Sequence, residues 1–305
     1  MIRQTLPFAV FAAALAMGGG AVVAAAQHQG HGSGQPQAQG SAPGHQGMEH
    51  PQGMQHQPWH DALQAAIRAD TRTAANVARD RYRHPFETLA FFGVEPDDTV
   101  VELWPGGGWY TEILAPYVLQ GGGAYYAAAM GEGGLNGIRR MMEANPTLYG
   151  GIRTAAFPAF ESSDTRVPDG TADVVLTFRN VHNWRMGYQR DNQPYGEEAF
   201  RQMFAMLRPG GTLGVVDHRL PEDADAERER TSGYIKVSTV RQLAEAAGFR
   251  FVGVSEVNAN PNDTADWPEG VWTLPPRLRL GDQDRDRYVA IGESDRMTLR
   301  FVKPE

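Results

Sequence analysis

The chain predicts an α/β fold: a doubly wound, mostly parallel sheet of seven strands with an antiparallel last strand, preceded by N-terminal helices. Three observations carry this expectation. Val100-Val101-Glu102-Leu103 is a short β-rich run, followed by Trp104-Pro105, three consecutive glycines (Gly106, Gly107, Gly108) and an apolar helical stretch. Glycine weakens strands and helices alike, so three in a row mark positive φ or a close approach of ligand to backbone. Strand and helix patterns then alternate, as a parallel sheet covered on both faces requires. The last apolar run, Met297 to Val302, follows a long aperiodic segment rather than a helix, so it can pair antiparallel to its neighbour.

Two segments of different composition come before the fold. Arg3 precedes an uncharged run from Leu6 to Ala26 that closes on Ala24-Ala25-Ala26. This pattern predicts a cleaved signal peptide over 1–26 and export to a periplasmic or extracellular space. The competing reading is an uncleaved membrane anchor, since the run approaches the roughly 20 residues of a span. Residues 27–58 are rich in Gln, Gly, His and Pro and poor in aliphatic side chains, which predicts a disordered tether. Five of the nine histidines lie in it (His28, His31, His45, His50 and His56), with Met48 and Met54 interleaved. Imidazole and thioether groups could collect copper or another soft or borderline metal there. No fixed ligand spacing is present, and a His-rich spacer accounts for the same residues.

The folded part is expected over 59–305. Asp61 to Asp80 reads as one helix with Leu63, Ile67 and Val77 on a face, interrupted by His84-Pro85; Phe86 to Phe92 is a second, stopped by Gly93. Thr99 to Leu103 opens the sheet, and Trp109 to Val118 is a helix bent or cut by Pro116. Ala124 to Met130 and Arg153 to Phe157 are the next strands, with a helix at Asn136 to Glu143 between them. Ala172 to Phe178 is an apolar strand. Glu197 to Leu207 is amphipathic, with Phe200, Met203, Phe204 and Leu207 at helical spacing. Pro209-Gly210-Gly211 predicts a turn into a buried strand, Thr212 to Asp217. Thr239 and Gln242 fit a capping box for the helix that Gly248 stops. Phe249 to Val257 is a strand, and Asn258 to Asp286 has no periodicity.

Composition excludes some functions. With 28 Lys+Arg against 36 Asp+Glu, the formal net charge is −8. That balance argues against sequence-independent nucleic-acid binding. The absence of cysteine excludes a disulfide framework, a thiolate metal site and a Cys nucleophile.

Three features fall at predicted strand boundaries in one order: Glu102 with its glycines, Asp173-Val174-Val175-Leu176 leading to Arg179-Asn180-Val181-His182-Asn183-Trp184, and Leu207-Arg208-Pro209-Gly210-Gly211 leading to Asp217-His218. Together they resemble the class I S-adenosylmethionine (SAM)-dependent methyltransferases, from Thr99 to Val257 and again at Met297 to Val302. Glu102 to Tyr110, Arg179 to Trp184 and Gly292 to Leu299 are similar, more narrowly, to an uncharacterised branch of exported, predicted methyltransferases. The resemblance implies a Rossmann-like fold, SAM as cofactor, and a cofactor site drawn from Glu102, Trp104, Gly106, Gly107, Gly108, Asp173 and Arg179. Two positions depart from the pattern. Trp104 stands where the first motif has its first glycine. No acid ends the second strand, and the nearest, Glu132, could serve the ribose from the loop. That gap, with Thr111 at the last glycine position of G-x-G-x-x-G, argues against a nicotinamide enzyme.

Methyl transfer to a proton-bearing acceptor is helped by a base near neutral pKa, so His182 and His218, just beyond predicted strand ends, are the candidate bases. Asn180 and Asp217 could orient base or substrate, or all four could shape the pocket as hydrogen-bonded loop residues. Asp263 to Pro276, with Trp267 and Trp272, is either a lid or a loop whose tryptophans plug the core. The resulting expectation is a methyltransferase for a small molecule. The alternative is a non-catalytic envelope binding protein on the same scaffold, linked to metal through the tether. No motif names the acceptor or the oligomeric state.

Overall fold

The computed structural model describes residues 56–160 and 165–305. The expected signal peptide and the candidate metal-binding positions His28, His31, His45, Met48, His50 and Met54 of the expected tether lie outside the described residues. Short helices come first: α1 (His60–Ile67), α2 (Ala74–Val77), α3 (Asp80–Arg83) and α4 (Pro85–Phe92). They lead into β1 (Thr99–Leu103), α5 (Thr111–Gly121), β2 (Ala124–Ala129), α6 (Asn136–Ala144), α7 (Pro146–Tyr149) and β3 (Arg153–Ala156). The chain continues through β4 (Ala172–Phe178), α8 (Val181–Met186), α9 (Gly196–Met206), β5 (Leu207–Leu220) and β6 (Ile235–Lys236). It closes with α10 (Val237–Ala246), β7 (Arg250–Ser255), α11 (Arg285–Ile291) and β8 (Arg296–Val302).

The strands lie in the order β3-β2-β1-β4-β5-β8-β7, with the two-residue β6 beside β5. The pairs from β3 to β5 are parallel, and β8 runs antiparallel to both β5 and β7. The expected α/β architecture is therefore present, with one short strand beyond the seven. Alternation along β1 divides the core: Val100 faces the layer of α1, α4 and α5, whereas Val101 and Leu103 face α8, α9 and α10. No helix among the described residues is long and apolar enough to cross a membrane.

Several elements differ from expectation for identifiable reasons. The single helix over Asp61 to Asp80 is three. The Arg72 guanidinium donates to the Ile67 carbonyl at 2.7 Å and to both Asp80 oxygens at 2.7 and 2.8 Å, bridging the end of α1 to the start of α3. Val77 is accordingly exposed rather than on a buried face. α5 runs through Pro116, because its burial against the sheet outweighs one lost backbone bond. Strand β5 absorbs the expected Pro209-Gly210-Gly211 turn. Gly210 N donates to the Lys303 carbonyl, and Lys303 N to that of Gly211, so the end of the chain draws this segment into the sheet. The same strand extends past Asp217, so His218 lies inside β5 and not beyond it. The capping box fails as well. α10 starts at Val237, and its first amides and hydroxyls are met by Glu229 and Glu222 from the preceding loop.

Candidate active site

The strand order reverses between β1 and β4, since β1 continues outward to β2 and β3 while β4 continues to β5. Open α/β sheets bind ligands at such a point, outside the carboxyl ends of the strands. A cleft of about 1030 Å³ opens there. Its floor is the β1–α5 turn, and its sides are the ends of β2, β4 and β5, α3, and the loop around Trp272. That volume holds a nucleoside-sized molecule and a small second one.

The glycine turn is built to face a ligand. Gly106 and Gly108 have φ of +60° and +84°, which a side chain would strain. A Cβ on Gly106 or Gly107 would meet nothing within 4 Å, so bare backbone looks onto the cleft. Behind the turn, α6 approaches so closely that a Cβ on Gly137 would lie 2.4 Å from the Gly106 carbonyl. Trp104 takes φ +50° in the corner before the glycines, a strained angle for a bulky residue. Its indole is anchored by a 2.9 Å hydrogen bond to the Phe157 carbonyl and by an edge contact with Trp184.

Glu102 ends β1 under this turn and is 2% exposed. Its carboxylate accepts from Thr111 Oγ1 at 2.7 Å and from the Tyr125 hydroxyl. Burial pushes its pKa up to about 7 against the lowering effect of those two bonds and of Arg179. Glu102 thus joins β1, β2 and the start of α5, and it carries a proton far more readily than a surface acid.

On the opposite side, Asp217 of β5 is fully buried and accepts three N–H bonds: His182 N at 3.0 Å, His182 Nδ1 at 2.7 Å and His218 N at 2.7 Å. The carboxylate fixes the proton of His182 on Nδ1 and leaves Nε2 as the free basic nitrogen. His218 lies beside it, ring centres 5.1 Å apart, with Nδ1 against Ser294 Oγ. Burial first, then His182 and the arginines 179, 296 and 83, drive His218 well below the usual histidine range, so it is neutral. One ligand atom from each of His182, Asp217 and His218 lies within 4.8 Å of the others, a set that could hold a metal ion. Both Asp217 oxygens already accept N–H groups, so the arrangement present is a histidine held by an acid.

Other sequence-derived site residues have different roles. Asp173 is the clearest correction. It sits at the start of β4, at the far end from the cleft, where it accepts from Thr99 N at 2.7 Å and from Arg208. Asp173 lies at the amino end of β4, whereas the cleft lies at the carboxyl ends of the strands, so it staples strand ends and does not line the cleft. Asn180 lines the cleft, and its amide nitrogen is committed to the Leu103 carbonyl at 2.9 Å and to Thr177 Oγ1 at 3.2 Å, clipping β4 to β1. Arg179 does line the cleft, at φ +65°. Glu132 begins the 3-10 turn just after β2. Of the two loop tryptophans, Trp272 lines the cleft. Trp267 turns away, donating to Asp263 at 2.6 Å and packing on Tyr288. His56 stands 3.3 Å from Asp61, apart from the cleft.

Sequence reasoning missed Arg79, Arg83, Glu293 and Arg296, all of which line the cleft. They arrive from α3 and from the edge of β8, more than 200 positions apart in the chain. The available signal was the Glu293-x-x-Arg296 pair within an otherwise unassigned motif.

No family model and no curated protein matches the chain. Solved structures do. The 4+2 cyclase SpnF superimposes with a TM-score of 0.50 at 13% identity, over 81% of this chain and 93% of its own. A candidate sarcosine dimethylglycine methyltransferase from Galdieria sulphuraria gives 0.50 at 13% identity, over 75% and 85%. A SAM-dependent methyltransferase from Aquifex aeolicus gives 0.49 at 16%, over 74% and 93%. The chain has the methyltransferase fold. At these identities the likeness is one of architecture, and one of the three is a cyclase, so the reaction must be argued from the site.

Proposed function

We propose that the protein is a SAM-dependent methyltransferase acting on a small, proton-bearing acceptor. The observation that carries this reading is that one cleft at the β1/β4 reversal joins a bare glycine turn to a histidine oriented by a buried acid. The open space above Gly106 and Gly107 fits a cofactor that approaches the backbone closely. Bound there, SAM supplies an activated methyl group, and alignment with the acceptor accounts for most of the acceleration. The chain's own chemistry is then modest. His182 Nε2 takes the acceptor's proton, and Asp217 holds the ring and the charge it gains. Neutral His218 and Ser294 offer hydrogen bonds beside it. Trp104 and Trp272 wall the cleft against water. The likeness of Glu102–Tyr110, Arg179–Trp184 and Gly292–Leu299 to the exported methyltransferase branch supports a protein that works outside the cytoplasm.

Calorimetric titration with SAM and S-adenosylhomocysteine tests the reading. Micromolar to millimolar binding is expected, and Gly107→Leu should abolish it while leaving the far-ultraviolet circular dichroism spectrum unchanged. Absence of heat with both ligands at millimolar concentration would sink it.

A further inference from the structure

The cleft also holds a group of side chains that proton transfer does not use. Arg79 and Arg83 from the N-terminal helices, Arg179 from the β4–α8 turn and Arg296 from β8 all face it. A single carboxylate, Glu293, serves three of them: it accepts from Arg79 Nε at 2.6 Å, from Arg83 Nε at 3.3 Å and from Arg296 Nη2. Glu102, the other acid lining the cleft, is turned to Thr111 and Tyr125.

The donors outnumber their acceptors. Arg83 is 1% exposed, yet its Nη1 and Nη2 have no hydrogen-bond partner in the protein, and the same holds for buried Arg79 Nη2 and Arg296 Nε. Among the described residues, the Arg179 guanidinium donates to none either. Burial, then Arg179, holds Arg83 well below its ordinary value, and burial, then Arg296, does the same to Arg179. Buried cations persist when an anion compensates them, and Glu293 alone is too few. The Arg83 guanidinium carbon lies 4.6 Å from the centre of the Trp109 ring, a cation–π contact that holds its head group in place. Planar forks of this kind match the two oxygens of a carboxylate or phosphate.

We propose that Arg83 and Arg179, backed by Arg79 and Arg296, form a binding site for an oxyanion, the carboxylate or phosphate group of a molecule that enters the cleft. Two sources share this chemistry: the amino-acid carboxylate of the cofactor and an acidic group on the acceptor. Assigning either source rests on the methyl-transfer reading; the anion site does not. His182 and His218 line the same cleft as Arg83, Arg179 and Arg296, so an oxyanion docked among the arginines shares that cleft with the histidine pair. In the second case the substrate is an anionic small molecule whose nucleophile is brought to His182.

The test is calorimetry on the full chain with inorganic phosphate and with acetate, at constant ionic strength, with and without saturating S-adenosylhomocysteine. Saturable binding is expected, weakened about tenfold or more in Arg179→Gln and Arg83→Met. Phosphate that still binds the S-adenosylhomocysteine-loaded protein assigns the site to the acceptor. Phosphate displaced by S-adenosylhomocysteine, but not by methylthioadenosine, which lacks the carboxylate, assigns it to the cofactor. No saturable binding of either anion, or wild-type affinity in the variants, overturns the proposal. Should Arg83→Met fail to fold, Arg179→Gln, in a turn at the cleft surface, decides alone. Phosphate binding without any response to SAM or S-adenosylhomocysteine would overturn methyl transfer and leave the anion site standing.

Discussion

Two buried acids take opposite roles in this cleft because their partners differ. Asp217 receives three N–H donors and orients His182. His182→Gln is expected to lower transfer of labelled methyl from SAM to a small-molecule extract by roughly 100- to 10,000-fold. Its affinity for S-adenosylhomocysteine should stay within error; loss of both would mean that His182 shapes the pocket and moves no proton. Glu102 has only hydroxyl donors and sits in a dry environment, which raises it to about 7 from 4.5. Between those values the folded chain keeps a proton that the unfolded chain has released. Stability therefore falls as pH rises through that window, by roughly 3 kcal/mol in all. Glu102→Gln, which keeps an acceptor for Thr111 and Tyr125, should melt higher than wild type at pH 8 and alike at pH 4. Equal melting curves at both pH values would refute this account.

The N-terminal helices matter to the site more than their shortness implies. Trp109, the residue after the glycine turn, donates from Nε1 to the Asn76 carbonyl at 2.9 Å. Arg72 and Arg83 lie over its ring at 5.4 and 4.6 Å. Glu112 of α5 accepts from Thr73 N and Oγ1, holding the start of α2. Helices of four residues do not persist in isolation, so these contacts keep α2 and α3 in place. Trp109→Ala should lower global stability by about 3–5 kcal/mol in urea unfolding. Amide exchange should show early loss of protection across α1 to α4, and anion affinity should drop because Arg79 and Arg83 lose their support. Uniform loss of protection over the sheet would instead mean that the N-terminal helices and the sheet unfold as one unit.

Across the molecule, the cleft draws on positions from Asn76 to Arg296, brought together by the sheet order and by the packing of the N-terminal helices and the Trp272 loop against its carboxyl end. The signal peptide expected over 1–26 poses a separate question of where this architecture works. N-terminal sequencing of material recovered outside the cytoplasm is expected to begin at Gln27; an intact Met1 in a membrane fraction would favour the anchor. Much of the architecture was legible in the chain. Periodicity marked the strands of the sheet, the glycine turn and the antiparallel last strand, because strand alternation and glycine's positive φ are local properties. Asp217-His218 and Asn180-Val181-His182 were also legible as polar residues beside apolar strands. Three things were not. The break of the first helix depends on Arg72 reaching Asp80. The extent of β5 depends on the chain's last residues pairing with Gly210 and Gly211. The arginine cluster depends on α3 and β8 meeting at one end of the sheet. Each is a contact between residues distant in sequence, and no local pattern encodes which distant partner a charge or a backbone amide will find. The order of elements and the glycine turn therefore belong to the sequence by itself. Which acid orients a histidine, which acid staples strands and which arginines lack a counter-charge were settled only when the sheet closed around them.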